Sequence, residues 1–225
     1  LPDLLRDWFG GGTLQETPSN TYHLHFNRIP TAFFQALGVK AAKAPEKRVP
    51  ESLFRAPREA VVGFLQGLFS ADGSVQVNPG KQDATVRLAS SSLGLLQDVQ
   101  LLLLNLGIYG KIHKRRPAGA KRLPDGRGGT KLYPTAAQYE LILGAVHRDR
   151  FTQVVGFLQP EKQAKLLAFL RERPRGAYRK PFVATVERVE PAGEAPVYDL
   201  TEPVTHSLIA NGLVAHNCGE IPLTV

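Results

Sequence analysis

A change in residue pattern near position 181 constrains the fold of this chain more than any other feature. Residues 1–172 mix the periodicity of helices with the alternation of strands, whereas residues after 181 show only strand patterns. The intervening stretch, 173–181, is rich in Arg and Pro and reads as a linker. The sequence therefore predicts an α+β body over 1–172 and a β-only tail over 182–217.

Two apolar helices dominate the predicted body. The first runs from Arg58 to Phe69, and the second, capped by Ser91 or Ser92, runs to Gly107. Other predicted elements of the body are a hairpin over 74–78 and 84–89, a strand over 138–144, helices near 147–156 and 160–172, and, near the start, short helices around Leu4–Trp8 and 31–37 with extended segments at 13–17 and 20–28. The predicted tail strands are 182–190, 196–201, 205–210 and 213–216.

Composition excludes several classes of protein. The 225 residues include one cysteine, Cys218, which excludes an internal disulfide framework and a cysteine-based zinc site. No apolar run approaches the roughly 18 residues of a membrane helix, and the first residues do not resemble a signal peptide. We therefore expect a cytoplasmic protein without a membrane partner. Because Met is absent, we also expect this chain to be a piece of a longer polypeptide.

Almost all of the net charge of +8 lies in one Gly- and Pro-rich stretch, residues 111–131. Its eight basic residues face one acid, Asp125. This pattern is typical of a flexible arm that follows the backbone of a polyanion, although a solvated loop kept soluble by charge would look the same. The candidate DNA-binding residues are Lys111, Lys114, Arg115, Arg116, Lys121, Arg122, Arg127 and Lys131.

The first long helix ends in a carboxylate. Gly63, Gly67 and Ala71 lie four residues apart on one face, where small residues let a second helix approach closely. The helix then stops at Asp72-Gly73, so two such helices would bring their terminal carboxylates together, as Mg²⁺ between phosphate oxygens requires. An ordinary Asp-Gly turn at a helix end is the alternative.

Residues Leu65 to Gly73 resemble the second motif of LAGLIDADG homing endonucleases, with Ser70 in place of the motif's first acid. The resemblance implies a mixed α/β endonuclease fold over 1–172 and Mg²⁺-dependent hydrolysis of both strands of a long DNA target. It implies that Asp72 binds the metal and that Lys47, in a Lys-x-hydrophobic-Pro block, polarises the attacking water. Strands over 74–90 would lie in the major groove. No segment of this sequence resembles the family's first motif convincingly.

The end of the tail carries residues suited to cutting its own backbone. An Asn side-chain nitrogen can attack its own carbonyl carbon and release the next residue, when histidines supply acid and base. His206, His216 and Asn217 are placed for this reaction, and Cys218 is a nucleophile able to accept an acyl group. An ordinary hairpin ending in a surface His-Asn is the alternative.

This tail resembles the C-terminal splicing segment of inteins, which implies the last β strands of a HINT domain. By that resemblance Asn217 cyclises, His216 and His206 assist, and Asp199 occupies the acidic position of the segment's first strand. No cofactor is implied for splicing. The partners implied are the N-terminal half of the intein and the flanking host sequences.

The residues after Asn217, Cys218-Gly-Glu220-Ile-Pro-Leu, resemble an active-site loop of adenosylcobalamin-dependent ribonucleotide reductases. This implies that 218–225 begin the host enzyme, in which Cys218 carries a radical and Glu220 assists. Two alternative functions remain: a DNA-binding module that has lost catalysis, or a chain in which only the self-processing tail is active.

Overall fold

A computed structural model describes residues 2–17, 22–25, 28–126, 128–172, 185–196, 203–210 and 213–216. In chain order its helices and strands are α1 (Pro2–Phe9), β1 (Thr13–Glu16), β2 (Tyr22–His25), α2 (Arg28–Ala36), α3 (Arg58–Asp72), β3 (Gly73–Asn78), β4 (Asp83–Ser90), α4 (Leu93–Asn105), β5 (Lys111–Arg116), β6 (Gly119–Pro124), β7 (Thr130–Thr135), β8 (Gln138–Leu143), α5 (Ala145–Val154), α6 (Pro160–Glu172), β9 (Ser207–Ala210) and β10 (Leu213–His216). Short 3-10 turns cover Ala44–Glu46, Glu51–Arg55 and Pro79–Lys81. None of the helices in the described ranges has the length and apolarity to cross a membrane.

The centre of the body is a four-stranded antiparallel sheet in the order β3-β4-β8-β5, with helices against one face. Alternate residues of the strands, such as Val86, Leu88 and Leu141, face those helices and are fully buried. The other face carries polar side chains, as expected for an antiparallel sheet with one solvated side. The α+β architecture predicted for the body is thus what the structure contains.

The apolar face of α3 anchors this helix layer. Val61, Leu65 and Phe69 are buried, and the Phe69 ring lies 4.8 Å from that of Phe151 on α5. The Ser92 side chain caps α4 by accepting a hydrogen bond from the Leu95 N–H, as predicted. Each fully buried apolar side chain of this size contributes about 1.5–3 kcal/mol to folding, and together they fix α3 and α4 on the sheet.

The basic stretch is not a flexible loop, as the sequence predicted, but a strand followed by a hairpin. Residues 111–116 form β5 at the edge of the central sheet, and β6 and β7 pair with each other in a separate two-stranded ribbon. The ribbon turns at Asp125, whose Oδ1 accepts from the Gly129 N–H at 2.9 Å. Nearly every residue of this segment is exposed, so no apolar alternation marked it as β structure.

The tail contains its predicted hairpin, but one of its predicted strands is absent from the described residues. β9 and β10 form an antiparallel hairpin, as predicted. The strand predicted over 182–190 is wrong for its described part, because residues 185–190 form no strand and Val186 and Val189 are exposed. A strand needs a partner edge, and the described residues offer none there. The linker over 173–181 and most of the strand predicted at 196–201 lie outside the described residues.

Candidate nuclease site and nucleic-acid interface

Asp72 is the last residue of α3, and its side chain is exposed. The helix ends there because Gly73 turns into β3 while its N–H donates to the Phe69 carbonyl. The φ of Gly73 is an ordinary −81°, but a Cβ at this position would lie 2.5 Å from the Phe69 oxygen. Only glycine therefore lets β3 start directly beside the helix and hold Asp72 at the junction.

The small-residue face of α3 is open. Gly63 and Gly67 would each accept a Cβ without meeting any atom within 4 Å, and Ala71 is exposed. This face lies about 200° around the helix from the buried row at Val61 and Leu65, because two residues turn a helix by that angle. Within the described residues nothing packs against it, so the surface predicted to receive a second helix is accessible.

The backbone around Lys47 is held on both sides by α4. The Ser92 hydroxyl donates to the Lys47 carbonyl at 2.7 Å. The Asp98 carboxylate accepts from Arg48 Nε at 2.6 Å and Nη2 at 2.7 Å, and from the Val49 N–H at 3.1 Å. Because Asp98 accepts these bonds and carries the opposite charge, it raises the pKa of Arg48.

Lys47 and Asp72 line the same two cavities, although they lie far apart in sequence. One cavity, of about 370 Å³, is also lined by the apolar side chains of Phe64, Leu68 and Leu95. The adjoining cavity, of about 300 Å³, adds Ser90 at the end of β4, Ser91 before α4 and Gln138 at the start of β8. The fold thus brings together both residues that the sequence predicted for DNA hydrolysis.

Ser70, which stands where the related motif has an acid, has a structural role. Its hydroxyl donates to the Gln66 carbonyl at 2.6 Å and accepts from the Leu158 N–H at 2.7 Å. The Lys162 ammonium donates to the Ser70 carbonyl at 2.6 Å. These contacts hold the last turn of α3 and place a positive charge where the helix dipole is negative.

Asp72 is suited to be one ligand of a magnesium ion. Exposed carboxylates at helix C-termini attract cations, because the unpaired carbonyls of the last turn add partial negative charge. The described residues contain no group of three or more His, Cys, Asp or Glu that could hold a metal. Magnesium commonly uses one or two carboxylates together with water and substrate phosphates. Asp72 therefore fits such an ion as one ligand, with a second acid to come from elsewhere.

The predicted DNA-binding residues lie on an edge strand of the central sheet and on the ribbon that follows it in the chain. Lys111, Lys114, Arg115 and Arg116 are exposed on β5, at the edge of the central sheet. Lys121 and Arg122 on β6 and Lys131 on β7 are exposed on the neighbouring ribbon. Arg127 lies outside the described residues.

The sequence analysis missed Glu140, which lies on the polar face of the sheet. Its Oε2 accepts from Arg87 Nη1 at 3.1 Å and pairs with Arg115 Nε at 3.4 Å. The Arg87 partner is 53 residues away in the chain, so no local spacing points to this cluster. Only a strand prediction with a correct register between β4, β5 and β8 could have found it.

The tail hairpin pairs His216 with Ser207, so His206 lies directly beside that pair. His206 has a φ of +50°, in the left-handed region that histidine enters more readily than most residues. The hairpin that the sequence predicted for bringing the two histidines near each other is therefore present. Asp199, Asn217, Cys218 and Glu220 lie outside the described residues.

Comparisons with known proteins bear on the body. Residues 59–156 match the family model of the LAGLIDADG-like domain. The chain is 37% identical over 183 residues, 80% of its length, to ribonucleoside-diphosphate reductase NrdEB subunit alpha of Bacillus subtilis (strain 168), and this covers 17% of that protein. It is 31% identical over 175 residues, 76% of its length, to a DNA polymerase of Thermococcus sp. (strain GE8), covering 10% of it. A solved structure of mesophilic variants of the homing endonuclease I-DmoI has 17% identity and a TM-score of 0.45, covering 74% of this chain and 72% of that one.

The chain spans less than a fifth of the length of these two curated relatives. A reductase and a DNA polymerase catalyse different reactions, so a segment similar to part of both is not specific to either reaction. The segment includes residues that match the LAGLIDADG-like domain. These findings show a LAGLIDADG-like domain at residues 59–156 and support its setting in a ribonucleotide reductase intein.

Proposed function

We propose that the body of this chain is a site-specific, Mg²⁺-dependent double-strand DNA endonuclease. The observation that carries the proposal is that Lys47 and Asp72 line the same cavities beside the open face of α3. Asp72 would bind the ion, and Lys47 would orient and polarise the attacking water. The ion, when bound, stabilises charge on the phosphate oxygens during hydrolysis.

A second LAGLIDADG helix would complete this site. The open row of Gly63, Gly67 and Ala71 lets such a helix approach α3 nearly backbone to backbone, and its terminal acid would then lie near Asp72. The helix would come from the upstream part of the intein or from a second copy of the chain. The site would then hold two carboxylates, the arrangement predicted from the sequence for binding Mg²⁺.

Double-stranded DNA would lie on the polar face of the central sheet. The exposed Lys and Arg side chains of β5 and of the β6–β7 ribbon would contact phosphates. Side chains of β3 and β4 would contact the edges of the nucleobases in the major groove. Phosphate contacts fix the register of the protein on the duplex, and the sheet residues supply the sequence preference.

Cleavage of the uninterrupted reductase gene by the full intein tests the nuclease. We expect Mg²⁺-dependent double-strand breaks at the insertion site, and a loss of at least about a hundredfold in rate for Asp72→Asn and for Lys47→Met. Glu59→Gln at the other end of α3 and Lys43→Met, an exposed lysine that lines neither cavity, are the matched controls. Equal rates for Lys47→Met and Lys43→Met would refute the role of Lys47.

A DNA-binding module without catalysis is the alternative for the body, and the buried Ser70 in place of an acid favours it. The same assay separates the two functions. Specific binding without nicks, under conditions where Mg²⁺ is in excess, would favour the binding module.

For the tail we propose protein splicing. The Asn217 side-chain nitrogen would attack its own carbonyl carbon, forming a succinimide and releasing the amine of Cys218, which has already accepted the acyl group. His216 and His206 would protonate the leaving amine and polarise the carbonyl, with Asp199 assisting. The final residues 218–225 would begin the host enzyme, in which Cys218 and Glu220 would act with adenosylcobalamin.

Incubation with the N-terminal half of the intein, followed by mass spectrometry, tests splicing. We expect the parent chain to lose residues 218–225 and Asn217→Ala to retain them. His206→Ala should slow the release without moving the cleavage point. Release of 218–225 from Asn217→Ala would refute cyclisation, and splicing without DNA cleavage would leave the self-processing tail as the active part.

A further inference from the structure

The polar face of the central sheet has an acid among its basic residues. In the strand register Glu140 on β8 lies between Ala89 on β4 and His113 on β5. Arg87 and Lys111 lie one row away, both paired with Ile142. A carboxylate at this position repels phosphates, so it opposes the binding of DNA unless it serves another purpose.

The two arginines beside Glu140 are held in different ways. Arg87 is mostly covered, with 20% of its side chain exposed, and its Nε donates to the Thr85 hydroxyl at 2.9 Å while Nη1 donates to Glu140. These two bonds fix the plane of its guanidinium and leave Nη2 outside both contacts. Arg115 is 59% exposed and stands where the β5–β8 register shifts between Lys114 and Arg116. A bulge of this kind redirects a side chain, here toward the same oxygen of Glu140.

Fixed guanidinium groups favour base recognition over phosphate binding. An arginine reads guanine through two parallel hydrogen bonds in one plane, and this needs a defined orientation. A free arginine instead loses side-chain entropy on binding and follows the nearest phosphate. One carboxylate that orients two arginines and repels phosphates therefore weakens non-specific binding more than specific binding.

We propose that Glu140 is a specificity-determining residue, which positions Arg87 and Arg115 for base contacts and suppresses non-specific binding of DNA by the sheet. The proposal rests on the proposed function in that the sheet must face the duplex. It needs no cleavage, so it can be tested by binding alone.

The test selects binding sites for the full intein from a randomised duplex library and measures affinity against salt. Glu140→Gln keeps the shape of the side chain and removes the charge. We expect the affinity of this variant for random duplex to rise roughly threefold to tenfold near physiological salt, with a steeper salt dependence. We also expect its selected sites to show weaker base preferences than those of the parent. Glu161→Gln on α6, which packs on the helix-covered side of the sheet, makes the same change of net charge off the polar face and should alter neither result.

Glu140→Asp separates positioning from repulsion. It keeps the negative charge, but it is one methylene shorter and cannot hold both arginines. We expect selected sites to become less defined while affinity for random duplex stays within about twofold of the parent. Thermal unfolding of each variant shows that the fold is retained.

Equal site selection by the parent, Glu140→Gln and Glu140→Asp would overturn the inference and leave DNA binding intact. The same changes in Glu161→Gln as in Glu140→Gln would also overturn it, because net charge would then be the cause. A parent protein that binds no duplex at all would instead refute the proposed DNA-binding face, and the inference with it.

Discussion

Replacing Asp98 tests the contact that holds the Lys47 segment against α4. The Asp98 side chain is 6% exposed and accepts three hydrogen bonds, two from Arg48 and one from the buried Val49 N–H. Asp98→Ala removes all three. The Arg48 side chain is 65% exposed and regains water, so losing that ion pair costs about 1 kcal/mol or less. The Val49 N–H loses its acceptor in a buried position, which costs about 1–3 kcal/mol.

We therefore expect Asp98→Ala to lower the free energy of unfolding by roughly 1–4 kcal/mol, measured by urea unfolding followed by circular dichroism. Asp98→Asn keeps an oxygen for the Val49 N–H and should cost about 1 kcal/mol. Glu51→Ala, which breaks an ion pair to Arg55 with both side chains largely exposed, is the control and should cost less than about 0.5 kcal/mol.

Two results would refute this reasoning about Asp98. A loss below about 1 kcal/mol for Asp98→Ala would show that the Val49 N–H finds another acceptor or is not desolvated. Equal losses for Asp98→Ala and Asp98→Asn would show that the charge on Arg48, rather than the buried N–H, dominates. In the nuclease assay Asp98→Ala should slow cleavage by the folded protein, because the Lys47 segment keeps only its contact with Ser92, and Asp98→Asn should slow it less.

Three further predictions concern positions whose surroundings differ sharply. Gly67→Ala should raise the free energy of unfolding by up to about 1 kcal/mol, because its Cβ meets no atom and alanine favours helix, so a loss in urea unfolding would contradict the open face. Gly73→Ala should lower it by about 1–3 kcal/mol through the clash with the Phe69 carbonyl, and an unchanged unfolding midpoint would show that β3 shifts freely. Burial lowers the pKa of His147, partly opposed by its hydrogen bond with Gly107, so the folded state binds fewer protons than the unfolded one. The contribution of His147 to the free energy of unfolding should therefore be fully present above about pH 6.5 and should be lost as the pH falls through the lower folded-state pKa. Urea unfolding of His147→Asn should lack this loss.

The sequence predicted the elements whose periodicity is set by burial. The apolar rows of α3 and α4, the Ser92 cap and the β3–β4 hairpin all follow from the spacing of residues that must avoid water. The same reasoning failed for β6 and β7, which are almost wholly exposed, and for β5, where only Ile112 packs against the core, because such strands show no apolar alternation. It also failed at 185–190, where Val186 and Val189 remain exposed and form no strand.

By itself, the sequence determined the candidate chemistry: a helix that must end at an Asp-Gly step, a lysine in a recognisable block, and a tail whose last residues suit backbone cleavage. Residue type and local spacing carry that information. Only the tertiary structure decided that Lys47 and Asp72 share cavities, that α3 keeps an open small-residue face, and that Glu140 holds two arginines from different strands. The shared cavities and the Glu140 contacts join residues from about 25 to 53 positions apart, and such contacts are set by sheet register and helix packing rather than by neighbouring residues.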